Sequence, residues 1–374
     1  MTQKKGVICC GLAVTDMFLH TEIAAKGKLS IVKKISYLAG GPVSNTGIAL
    51  ALLGIPVEAI TLIGSDEVGQ RILSDLGKNK VGISSVAKTN EVASSLSTLI
   101  ISSDGERTIY FFPGPNDIFC SKHIDYEKVS SARFFHFGYP PILKKSQYEE
   151  LGIIMRKAKE RGVITCLDTS WDPDVEDHPK KLGPAYPYTD IFAPNIEEAS
   201  ALCGKFRMLQ DRADKLGKTP EGKDANVSDV VSPEELEEMG RFFLGKGIKM
   251  MIITLGPNGA YIITADKNEL GKLPIDPKLA LLWADKKMWL PTYNEAGPLN
   301  ATAAGDSFYA GFMCGLYNEM PIDECLKIGH ATAARRVDGS GWTDFEGTKK
   351  TMKERSFKKP FNKTLMEMTP DLKY

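Results

Sequence analysis

The chain has 374 residues, 43% hydrophobic and 25% charged, enough to bury a large core in an ordinary globular protein. Its 47 basic residues balance 47 acidic ones, which removes the overall field that would draw it to nucleic acid or an anionic membrane. No apolar run is long enough to cross a bilayer, and the seven cysteines show neither Cys-x-x-Cys nor zinc-finger spacing. They read as reduced thiols of a cytoplasmic protein, and the amino-terminal residues carry no signal-peptide pattern.

In chain order, residues 7–13 read as a strand. Residues 44–53 have helical spacing and stop at Gly54, a glycine end. Residues 57–63 predict a second strand, followed by a helix near 68–77. Further strands are expected at 134–137, 163–168, 191–193 and 249–255, with helices between them. This βαβα alternation predicts a mostly parallel sheet with helices on both faces, and ligands at the carboxyl ends of its strands. Two segments break the pattern. Residues 18–38 and 94–112 alternate like strands without helical partners, and Ser102-Ser103-Asp104-Gly105 is a hairpin signal. They predict a small antiparallel flap, or alternatively a plain edge extension of the sheet. Residues 207–232 are polar and predict a surface insertion, and the lysine-rich end from about 349 predicts a docked or frayed terminus.

Several short constellations suit chemistry. Asp16 follows the first strand, and Gly40-Gly41-Pro42-Val43-Ser44-Asn45 leads into the first helix. A carboxylate and an amide converging there, with glycines that admit a close ligand, would suit vicinal hydroxyls. Turn and cap roles explain Asp16 and Asn45 equally well. Asn195-Ile196-Glu197-Glu198 follows another strand. Asn195 suits a helix cap, while Glu198 could face a hydrated magnesium. Thr254-Leu255-Gly256-Pro257-Asn258-Gly259 is a glycine turn between strands, weak evidence of a nucleotide site on its own. Ala303-Ala304-Gly305-Asp306 opens a helix. Its free N–H groups and dipole make an anion cradle, with Asp306 placed to take a proton from an attacking alcohol, or simply to cap the helix. No P-loop, Gly-x-Ser-x-Gly elbow or His-Glu-x-x-His is present, and the five histidines have no metal spacing.

Taken in order, these motifs resemble the ribokinase, or PfkB, family of carbohydrate kinases over about residues 7–342. Gly40-Gly41 with Asn45 resembles the amino-terminal signature, and Asn195-x-x-Glu198 the Asn-x-x-Glu motif. Thr254-x-Gly256-x-x-Gly259 resembles the nucleotide turn, and Ala303 to Asp306 the Gly-Ala-Gly-Asp signature. The resemblance implies a three-layer α/β/α sandwich over residues 1–348, a β lid from about 17–39 and 94–113, and a tail over 349–374. It implies ATP and Mg2+ as cofactors and a sugar or sugar-like alcohol as acceptor. Asp306 would be the base, with the backbone of Ala303, Ala304 and Gly305 as anion hole. Asp16, Gly40, Gly41 and Asn45 would bind the sugar. Asn195, Thr254, Gly256 and Gly259 would serve the nucleotide and Glu198 the magnesium. Lids of this kind often pair subunits, so a homodimer is a further expectation. Arg107, Asn116 and Tyr139 lie within reach of the substrate region without a motif that fixes them. The family usually reads Asp-Thr-x-Gly-Ala-Gly-Asp where this chain has Asn300-Ala301-Thr302-Ala303-Ala304-Gly305-Asp306. The cradle is expected to survive provided that Ala303 keeps a negative φ, whereas the monovalent-cation site that some members build there loses its first residues. A nucleoside kinase of the same fold, and a non-catalytic sugar or nucleotide sensor, are the competing readings.

Overall fold

A computed structural model describes residues 4–103, 107–220, 222–297 and 300–374. Eight strands form the central sheet in the order Lys287–Leu290, Ala260–Thr264, Met250–Thr254, Ile191–Phe192, Ile164–Leu167, Phe134–Gly138, Val7–Gly11 and Val57–Ile60. The six strands from Met250–Thr254 to Val57–Ile60 pair in parallel, and the two at the other end join antiparallel.

Both faces of this sheet are covered, so its strands are apolar on both sides. Val7 and Cys9 point into one core layer while Ile8 and Cys10 point into the other, the period of two that a pleated strand imposes. Helices Pro42–Leu52, Glu67–Lys78 and Ala304–Tyr317 close the first layer. Helices Glu149–Glu160, Ile196–Leu202 and Pro233–Leu244 close the second. The result is a three-layer α/β/α sandwich.

The strand expected over 57–63 is broken in two. Thr61 donates its hydroxyl to the Gly11 carbonyl at 2.8 Å, and beyond it Leu62–Gly64 leaves the main sheet to pair with Ala87–Thr89.

A second sheet stands beside the sandwich, in the order Lys34–Gly40, Val14–His20, Leu96–Ile101, Arg107–Phe112. Its outer pairs are antiparallel and its central pair parallel. The hairpin joining the last two strands brings Ile101 opposite Arg107; Asp104 and Gly105 of its turn lie outside the described residues. Strand Lys34–Gly40 runs directly into helix Pro42–Leu52, so the second sheet and that helix share one hinge. At that hinge Gly41 has φ 78° and a Cβ there would stand 2.6 Å from the Leu12 carbonyl oxygen, so only glycine fits.

Residues 207–232, expected as a polar surface insertion, carry a regular element. The helix Phe206–Leu216 buries Leu209 and Ala213 on one stripe, a pattern hidden by its many charges. After it, Asn226 and Asp229 line the same cavity as Gly256, and Ser228 and Asp229 accept from Asn258 Nδ2. The carboxyl-terminal helix Phe345–Glu354 crosses position 348, and the residues after it stay docked on the domain, with Leu365 fully buried.

Candidate active site

The carboxyl ends of the strands converge on Asp306, in the first turn of helix Ala304–Tyr317 and almost fully buried. Its Oδ2 accepts a hydrogen bond from Asn45 Nδ2 at 2.8 Å, and its Oδ1 accepts one from the Tyr139 hydroxyl at 3.2 Å. Burial pushes the Asp306 carboxyl upward, while these two donors and the charge of Arg336 pull it back. Asp168, at the end of strand Ile164–Leu167, is raised more strongly, by burial and by the charges of Asp306 and Glu198. Both carboxyls are thus raised by burial, Asp168 further by its acidic neighbours, while Asp306 alone of the two is countered by two hydrogen-bond donors and a nearby cation.

Asp16 belongs to strand Val14–His20 and is neither a turn nor a cap residue. Burial first and then the Asp306 charge raise it to about 6, against the pull of Ser97 and Arg336. Gly40 lies against it: a Cβ at that position would stand 2.3 Å from Asp16 Oδ2. Asp16, Gly40, Asn45, Tyr139 and Asp306 thus form one polar cluster beside the cavity-lining Gly305. Asn116 is buried, its Nδ2 donating to the Ala13 carbonyl at 3.1 Å.

Arg336 stacks over the Trp342 ring at 5.3 Å and is near enough to depress both Asp306 and Asp16. Replacing it by Met removes that charge, so Asp306 titrates higher. The acid limb of a kcat/KM profile is then expected to move to higher pH, because base action requires the carboxylate. An unmoved limb in Arg336→Met would remove Arg336 from this electrostatic network.

Ala303 corrects an expectation. Its φ is 62° and ψ 20°, the left-handed region, not the negative φ on which the cradle was expected to depend. The Ala303 carbonyl accepts from the Ser307 hydroxyl at 2.6 Å and from the Ser307 amide at 3.0 Å, and Trp342 Nε1 donates to that hydroxyl at 2.8 Å. These bonds hold an alanine where glycine is the natural occupant. A left-handed residue followed by helical ones turns successive N–H groups into a concave nest, so the cradle persists. Its cost is steric, about 1–2 kcal/mol for a residue with a Cβ. Ala303→Gly is expected to raise unfolding stability by about 1 kcal/mol, relieved strain outweighing the extra entropy of the unfolded chain. Urea denaturation measures it, and a destabilised variant would contradict the strain assignment.

Beside the cradle lies a cavity of about 560 Å³. Thr254, Gly256 and Gly259 line it, as do Ala304, Gly305 and Arg107. Arg107 reaches over from the lid, its Nη1 donating to the Thr302 hydroxyl at 3.1 Å. Asn195 and Glu198 do not line the cavity. They form a capping box in which Asn195 Oδ1 accepts from the Glu198 amide and Glu198 Oε2 accepts from the Asn195 amide, both at 2.9 Å. The Asn195 turn is tied to strand Met250–Thr254 by the Thr254 amide, which donates to the Pro194 carbonyl at 3.1 Å. Burial raises Glu198 to about 8. Among the described residues no three His, Cys, Asp or Glu side chains cluster tightly enough to cage a metal. Glu198 and Asp168, both raised by burial and the second also by the charge of the first, would suit instead a hydrated divalent cation held through its own waters.

The motif reading missed Asp168, Arg336 and His330. Asp168 was visible as an acid ending a predicted strand. His330 lies on the helix Ile322–Val337, lines the cavity, and is driven down to about 3 by burial, so it stays neutral. Only the packing of this helix against Ala304–Tyr317 reveals it and Arg336.

The architecture is a mostly parallel α/β/α sandwich with a second small sheet beside it, and a buried acid lies in the first turn of a helix at the carboxyl ends of the strands. The family model described as pfkB family carbohydrate kinase matches residues 4–346, and the chain belongs to that family. It is 25% identical over 357 residues to a ribokinase of Staphylococcus aureus, covering 91% of this chain and 95% of that protein. It is 22% identical over 348 residues to an ATP-dependent 6-phosphofructokinase of Thermoanaerobacterium thermosaccharolyticum, covering 90% and 88%. In fold it resembles Arabidopsis thaliana ribokinase complexed with ribose and ATP, with a TM-score of 0.71, 20% identity, and 94% and 99% of the two chains covered. The chain is thus a carbohydrate kinase.

Proposed function

We propose that this chain transfers the γ-phosphoryl group of ATP to a hydroxyl of a sugar or sugar-like alcohol, with Asp306 as base. The observation that carries the reading is the position of the Asp306 carboxylate: bonded to Asn45 and Tyr139 in the polar cluster, one residue from the Gly305 cradle. The acceptor hydroxyl would lie between Asp16, the Gly40–Gly41 backbone and Asn45. Its oxygen attacks the γ-phosphorus in line as its proton passes to Asp306, and ADP departs with the cleaved bridging oxygen. The N–H groups of Ala303, Ala304 and Gly305 hold the negative charge that spreads over the transferring phosphoryl oxygens. Thr254, Gly256 and Gly259 form the floor for the nucleotide, and the Asn195 turn supports that floor. Magnesium, when bound through Glu198 and Asp168, supplies neutralisation of the phosphate charge. Arg107, carried on the lid, adds a second cation at the cavity mouth.

The lid also favours a partner. Ile35, Leu38, Ile109 and Phe112 are each exposed by 46% or more on its outer strands. Such a surface on a small sheet suits a second copy of the same chain.

A panel of hexoses, pentoses, sugar acids and nucleosides with ATP and magnesium, read as acceptor-dependent ADP release, tests the reading. Release with one sugar class supports it, and release with nucleosides alone would replace the acceptor. Binding without release would make the chain a sensor.

A further inference from the structure

The family match ends at residue 346, yet the residues that follow reach back into the cavity: Lys358, Lys359 and Phe361 all line it. The segment is anchored there by a dense set of contacts. Phe357 stacks on Tyr293 at 4.7 Å, the Lys358 amide donates to the Thr292 carbonyl at 2.7 Å, and Lys358 Nζ pairs with Glu295 at 3.0 Å. The central tie is Asn258, buried within the glycine turn that lines the nucleotide cavity. Asn258 Oδ1 accepts from the backbone amides of Phe361 and Asn362 at 3.0 and 3.2 Å, while its Nδ2 donates to Ser228 Oγ at 3.0 Å and Asp229 Oδ1 at 2.8 Å. Asn362 Nδ2 then donates to the carbonyls of Ser228 and Val231, at 3.1 and 2.7 Å. One buried amide thus fixes the carboxyl-terminal segment, the insertion and the glycine turn in a single arrangement.

We propose that Phe361 is a nucleotide-contacting residue, the aromatic wall on which the purine ring of ATP packs, and that Asn258 and Asn362 are the positioning residues that hold it there. The geometry favours the base over the phosphates. The cradle at Ala304 and Gly305 suits the phosphates, whereas Phe361 is tied by its amide to Asn258 of the glycine turn. A flat, half-buried ring beside a glycine turn offers a π face and apolar area, which a purine uses well and a sugar hydroxyl does not. Lys359 lines the same cavity and adds a cation to it. This makes a segment outside the family match part of the nucleotide site, and makes purine preference a property of that segment.

The inference rests on the kinase reading, but its test does not require turnover. ADP and CDP binding to the full-length protein is measured by calorimetry for wild type, Phe361→Ala and Phe361→Tyr, with thermal unfolding alongside. Loss of a stacking face is expected to weaken ADP binding about 10-fold in Phe361→Ala and to reduce the preference for ADP over CDP, with sugar affinity unchanged. Phe361→Tyr, which keeps the ring, is expected to restore both. ADP binding within twofold of wild type in Phe361→Ala overturns the proposal. So does an equal loss of ADP and sugar affinity, or a wild type that binds no ADP. A protein that binds ADP as expected yet phosphorylates nothing in the acceptor panel sinks the kinase reading and leaves this one standing.

Discussion

Asp306→Asn is expected to lower kcat/KM by about three to four orders of magnitude while sugar affinity stays within a few-fold. The expected size combines general-base loss, commonly 10²–10⁴-fold, with the mispositioning of the attacking hydroxyl. Binding survives because an amide at this position still offers an oxygen to Asn45 or Tyr139, and the shape of the polar cluster is unchanged. Stability is not expected to fall either. The wild-type carboxyl is a buried anion whose titration is already raised by desolvation, so a neutral amide removes a penalty. Coupled ADP-release kinetics and calorimetric titration of the sugar separate the two quantities. Turnover within tenfold of wild type would remove Asp306 from the base role.

Gly305→Ala is expected to give the opposite combination, a protein at least as stable and about 100-fold slower. A Cβ at Gly305 meets no atom within 4 Å, so the fold accommodates it. Helix Ala304–Tyr317 gains, since alanine is better than glycine in a helix by about 0.5–1 kcal/mol. The open space that receives the methyl group is the cavity itself, at the seat assigned to the phosphoryl group. Crowding there spoils the donors that stabilise the transferring charge, an effect of about 10²–10³ in kcat for comparable donors. A variant with normal turnover would place the phosphates elsewhere. Thermal unfolding and kinetics on one preparation test both halves.

Much of the architecture was legible because its signals are local. Strands at 134–137 and 249–255 are short β-branched and aromatic runs, and the helix starting near Ser44 announces its end with Gly54. The separate pocket residues Asp16, Asn45 and Asp306 were legible as types suited to the chemistry. Their meeting was not, since the Asn45–Asp306 hydrogen bond joins positions 261 apart. The backbone of Ala303 was misjudged for a related reason. Residue type favours a right-handed alanine, but the Ser307 and Trp342 bonds impose the left-handed one. The insertion was legible only as polar and surface-exposed, because its charges swamp the stripe of Phe206, Leu209 and Ala213 that makes a helix of its start. Capping and chemistry could not be separated at Asn195 and Glu198, where a reciprocal cap uses the same two side chains.

The 261-residue separation within that one hydrogen bond also sets a timetable for synthesis. The strand Val7–Gly11 is among the first parts to leave the ribosome, yet in the sheet it needs Phe134–Gly138 beside it, and the polar cluster needs Asp306. Until the chain has been made as far as Asp306, the bond that joins it to Asn45 cannot form. Contacts this distant in sequence are closed late, which slows folding.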